Sequence, residues 1–222
     1  MPHIEASVHF NFRRARDMLR QDRQLRKAAR AMPKPLPWEF AQPRLMPLLA
    51  GPYLGDIPLV TVVAPAGCAV NFGVEIAGTF VIVDRPVAER WECTDDQLRE
   101  AAWANLGRRA SKLTAADVRH ATFSGRIVRV LDRVPWSTSL VLAENHLVRL
   151  FGESDQVFGV PRRDTLLVFG FDVPERTIAD IVVDFEAGAA FPLMLDPFVR
   201  CEGRLLWSLT REEEADLDES DR

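Results

Sequence analysis

The sequence is poor in the residues that usually announce chemistry. Its three cysteines, Cys68, Cys93 and Cys201, stand far apart with no Cys-x-x-Cys spacing. An odd, scattered set argues against a disulfide framework and suits a reducing compartment. The four histidines, His3, His9, His120 and His146, include no i, i+4 pair and no HExxH, so no metal site is expected. GxxxxGK[ST], GxGxxG and GxSxG do not occur, which leaves the common nucleotide loops and the serine elbow without support. No run of roughly 18 apolar residues occurs, so no membrane-crossing helix is expected. Lysine is scarce: three lysines stand against 25 arginines, a bias read first as base composition. The opening Met1-Pro2-His3-Ile4-Glu5 does not have the charged-then-apolar pattern of a secretory leader. The expected location is the cytoplasm.

What is present is a chain of ordinary globular composition. At 222 residues, 47% hydrophobic and 27% charged, it can bury a core without disulfides or metal. The net charge of −4 excludes a generic nucleic-acid binder, but the charge is unevenly spread. Residues 1–34 carry nine Lys/Arg against Glu5, Asp17 and Asp22, while residues 211–222 carry seven acids against Arg211 and Arg222.

Three stretches follow from the patterning. Residues 1–57 read as a basic helix over 10–31 followed by a proline-rich strap packed on the body. In the helix, Met18, Leu25 and Met32 recur at heptad spacing among arginines. The strap's prolines interrupt any long helix, and its Trp38, Phe40, Leu45, Met46, Leu48 and Leu49 require cover. Residues 58–210 read as the main domain. Val70, Phe72, Val74 and Ile76 alternate as in a half-buried strand, and Ala77-Gly78 turns the chain into a second strand. Thr94 and Gln97 have capping-box spacing, which predicts a helix from Asp95 to Gly107. Further strands are predicted over 123–131, 156–160, 165–169, 198–201 and 204–208, with helices from Ser137 or Thr138 to Phe151 and from about Pro174 to Gly188. Hairpins with intervening helices predict an α+β fold with a mainly antiparallel sheet. Residues 211–222 read as an acidic disordered tail.

Two groups of residues invite a functional reading. Arg162, Arg163 and Asp164 form a hairpin turn whose guanidiniums suit bidentate capture of an anion or of a partner's carboxylate. The blander reading is a solvated turn in which Asp164 bonds a nearby amide. Arg13, Arg16, Arg20, Arg23 and Lys27 form a basic helix face that suits an acidic partner, nucleic acid or a membrane surface. The blander reading there is a solvated helix face packed on the body. His146 reads as a core or boundary histidine, and Cys93, before a helix start, is the thiol to test for a lowered pKa.

The segment from about 78 to 207 resembles the uncharacterised bacterial family of YtpQ-like proteins. The resemblance rests on Gly78–Asp84, the helix containing Leu98 to Leu106, the helix from Ser139 to Leu150, and Val160-Pro161-Arg162-Arg163-Asp164-Thr165-Leu166-Leu167. The Pro-x-Arg-Asp turn is its most specific part. It implies an α+β body and a cytoplasmic location, and it brings no activity or catalytic residue.

Together these readings predict a cytoplasmic protein-binding or regulatory module with a protein partner or self-association, leaning away from catalysis, with no cofactor and no catalytic residue. Nucleic acid or a membrane surface, engaged through residues 10–31, is the less favoured partner. The alternative is an enzyme or binding protein for an anionic small molecule, using the Arg162-Arg163-Asp164 turn.

Overall fold

The structure is a computed structural model that describes residues 19–20, 22–51, 57–64, 67–123, 125–187, 189 and 192–207. The acidic end, 211–222, and the first part of the basic helix, with Arg13 and Arg16, lie outside the described residues. The fold is α+β with two antiparallel sheets, as the hairpin pattern predicts.

The first sheet gathers β1 (Leu45–Leu49), β2 (Thr61–Val63), β3 (Ala69–Ile76) and β4 (Thr79–Ile82). The long β3 is its spine: β1 pairs along one side, and β2 and β4 share the other. Ala77 and Gly78 both take positive φ, 52° and 81°. Two left-handed residues match the twist of the strands they join, as in a type I′ hairpin.

The strap is more regular than its prolines suggest. A short helix, α2 (Trp38–Ala41), and a 3-10 turn (Gln42–Arg44) lead into β1. Pro47 is tolerated because β1 is an edge strand, so a missing amide costs no ladder bond on its open side. All five residues of β1 are buried. The segment is thus packed on the body, but as a strand of the sheet rather than as an irregular strap.

The second sheet runs β10 (Arg204–Trp207), β9 (Phe198–Cys201), β7 (Gln156–Arg162), β8 (Thr165–Gly170), β6 (Arg126–Leu131) and β5 (Arg119–Phe123). Sequence reading ran 123–131 as one strand. The chain instead turns near Gly125, at φ 75°, and makes a β5–β6 hairpin.

Helices fill the remaining space. α3 (Arg85–Arg90), not foreseen from the sequence, is capped by Asp84, whose carboxylate accepts the Val87 amide at 2.9 Å. α4 (Asp95–Ala110) starts at the predicted capping box: the Thr94 amide donates to Gln97 Oε1 at 2.8 Å and the Gln97 amide to Thr94 Oγ1 at 3.3 Å. Such a box stabilises a helix by about 1 kcal/mol. α4 runs through Gly107 and ends three residues later than expected. The expected helix from Ser137 is two elements, a 3-10 segment (Ser137–Leu142) and α5 (Glu144–Phe151).

α6 (Glu175–Ala187) lies on one face of the six-stranded sheet, with Ile178, Ile181 and Val182 against Val128, Val157, Leu167 and Phe169. Gly159 permits the close approach, since a Cβ there would sit 2.7 Å from Val182 Cγ2. The other face of that sheet turns Phe158, Val160, Leu166 and Val168 into a larger core shared with α4, α5 and the first sheet. The 3-10 segment is the junction. Its Ser137, Thr138 and Ser139 are buried, and their hydroxyls donate to Val134 O, Arg163 O and Pro47 O at 2.7, 3.1 and 2.6 Å. Every buried hydroxyl there has an acceptor, which is what keeps a polar junction inside an apolar core from being costly.

Candidate partner-binding surface

The described part of the basic helix is a helical turn at 19–20 and α1 (22–31). It stands on the body by a narrow face. Ala28 is buried, Gln24 and Met32 four residues to either side are half-buried, and the remaining described positions of α1 are exposed. Gln24 lies over the β3–β4 turn at Gly78. The contact face therefore follows Gln24, Ala28 and Met32; of the expected apolar stripe, Ala28 and Met32 face the body, Leu19, Leu25 and Ala29 do not, and Met18 lies outside the described residues. Leu25 is 48% exposed and Leu19 61%.

Arg20, Arg23, Arg26, Lys27 and Arg30 are all exposed, and Leu25, two residues from both Arg23 and Lys27, projects from the side opposite that pair. One described carboxylate answers the cations: Asp22 pairs with Arg26 at 3.0 Å. Arg20, Arg23, Lys27 and Arg30 step by three and four residues, so they share one side of the helix.

The β7–β8 turn holds the other predicted group. Arg162, Arg163 and Asp164 are all half-buried, so the turn is no solvated tip. It leans on the 3-10 segment, where the Thr138 amide and hydroxyl both donate to Arg163 O, at 3.3 and 3.1 Å. Arg162 Nε pairs with Asp164 Oδ1 at 2.9 Å and donates to Thr165 Oγ1 at 2.9 Å. Burial lowers the pKa of the Arg163 guanidinium. The structure thus brings Arg162, Asp164 and Thr165 together, and sets Arg20, Arg23 and Lys27 along one helix. No hydrogen bond or ion pair among the described residues joins the two groups.

One charged face was missed in the sequence. Asp172, Glu175, Asp180 and Asp184 on and before α6 are exposed with Arg176, beside Val183 at 57% and Phe171 at 55% exposure. The signal was there: the positions between the apolar Ile178, Ile181, Val182 and Phe185 carry acids.

Other reactive side chains have quiet surroundings. Cys93 has its pKa raised by burial, not lowered, and its thiol donates to Trp91 O at 3.4 Å. Burial lifts Cys68 to about 11. His146 is half-buried beside Gly107, and desolvation followed by the Arg149 charge lowers its pKa. Among the described residues no three His, Cys, Asp or Glu side chains gather as metal ligands, and no helix is long and apolar enough to cross a membrane. A groove of about 640 Å³ between β2 and α4, lined by Val63, Asp96, Arg99, Glu100 and Trp103, is open and shallow. No family model, curated protein or solved structure matches this chain.

Proposed function

We propose that this protein acts by binding, and that α1 is a docking helix for an acidic protein surface. The observation that carries this reading is the exposure of α1. Five cations face one carboxylate, and two leucines stay in water on a helix that meets the body through Ala28, Gln24 and Met32. A helix of ten residues is marginal by itself in water, so cover on its exposed side would stabilise it. Charge supplies orientation and association rate.

A ligand site at the β7–β8 turn has less behind it. Arg162 and Asp164 already answer each other, and an incoming anion would have to displace that pair.

Photo-crosslinking tests the reading. A benzophenone amino acid at position 30 of the full chain, on the face of Arg23 and Lys27, irradiated in its own cells, is expected to capture one acidic peptide, and R23E/K27E is expected to abolish that capture. Capture no greater than from position 206 on β10, also exposed, would overturn it.

A further inference from the structure

We infer that the acidic surface engaged by α1 is α6 of a second copy of this chain, an inference that rests on the reading of α1 as a docking helix. The two helices are complementary in charge. α1 exposes Arg23, Arg26, Lys27 and Arg30, with Arg20 just before it; α6 and its leading turn expose Glu175, Asp180 and Asp184 beside Arg176, Phe171 and Val183, with Asp172 already paired to Arg126 at 3.6 Å. Arg23 and Lys27 are spaced i, i+4, as are Asp180 and Asp184, so each pair projects from one side of its helix. The lengths match as well: ten residues of α1 span about 15 Å and thirteen of α6 about 20 Å.

Within one molecule the two helices pack on different cores. Ala28 of α1 belongs to the larger core that the two sheets share. α6 covers the six-stranded sheet with its own separate core. No ion pair among the described residues joins α1 to α6, so the contact we infer is between copies. Such a contact is heterologous: it uses two different patches, and repetition gives a ring or an open chain rather than a two-fold dimer.

Sedimentation velocity on the full chain, at about 1–200 µM and at about 50 and 500 mM salt, tests this. The wild-type chain is expected to associate at low salt and to dissociate at high salt. R23E/K27E and D180K/D184K are each expected to weaken association at least about tenfold, with unchanged circular dichroism, because all four positions are exposed. An equimolar mixture of the two variants is expected to recover association to within about threefold, since one then carries the acidic α6 and the other the basic α1.

A wild-type chain that stays monomeric at low salt would overturn the inference. So would D180K/D184K associating like the wild type. If position-30 crosslinks to another protein persist in either case, the docking role of α1 stands and only its partner changes. If they too are missing, both readings fall.

Discussion

Arg200 on β9 is fully buried, and its Nη2 alone meets three acceptors: Gly152 O, Ser154 O at 2.8 Å and Gln156 Oε1 at 3.0 Å. Nε and Nη1 have no partner among the described residues. Desolvation lowers the pKa of this guanidinium, with Glu144, Asp155 and Glu153 acting the other way. Its neighbour Arg129 donates to Phe151 O at 2.8 Å, so two arginines meet the carbonyls at the end of α5. Arg149 does the same for α4, at Leu113 O and Ala110 O. Cations there offset both the unpaired carbonyls and the negative end of the helix dipole. The excess of arginine over lysine, which looked like base composition, thus has structural use at three positions. Arg200→Met would leave three acceptors without their donor, at about 1–3 kcal/mol each, so a loss of at least about 3 kcal/mol is expected in urea unfolding. Arg200→Lys keeps one nitrogen with three hydrogens for the same acceptors and is expected to lose less than half as much. Equal losses would show that the cap is not what Arg200 contributes.

Among the elements, α4 carries a correctable weakness. Gly107 lies inside the helix, and a Cβ there would meet nothing nearer than His146 Nε2 at 4.0 Å, an ordinary contact. Gly107→Ala is therefore expected to stabilise the chain by roughly 0.5–1 kcal/mol, read as a higher urea midpoint with unchanged slope. Local signals of this kind were legible in the sequence. The Thr94–Gln97 box, the Ala77-Gly78 turn and the strand alternation of β3 are settled by neighbours two to four residues away, and the structure has them where the pattern puts them. What was not legible depends on distant partners. β1 became a strand because β3 lay ready to pair with it; nothing within Leu45–Leu49, broken by Pro47, says so. In α1 the expected stripe holds Ala28 and Met32, which do face the body, but not Gln24, whose neighbour at the Gly78 turn is far along the chain. Of the two candidate groups, the residue types were found and their settings were not. Half-burial of the Arg162–Asp164 turn comes with Thr138, 25 residues from Arg163, and the acidic back of α6 shows only when its buried stripe is placed on the sheet.

For the molecule as a whole, the boundary drawn at residue 57 cuts through a sheet. Removing 1–57 would take away Leu45, Met46, Leu48 and Leu49, each at most 1% exposed. It would also strip Asn105 Nδ2 of Gln42 O and Leu45 O, and Ser139 Oγ of Pro47 O. Four such side chains are worth roughly 6–12 kcal/mol, comparable with the whole stability of a domain. The fragment 58–222 is expected to show no cooperative melting transition by circular dichroism; a sharp one would show that the domain is complete without β1. The hydroxyl of Ser139 adds a matter of timing. It closes onto Pro47 across 92 residues of chain. At a synthesis rate of about 5–20 residues per second, β3 can pair with β1 within a few seconds, but Ser139 follows Pro47 only after roughly 5–20 s. During that interval the first sheet exists without the junction that joins it to the second.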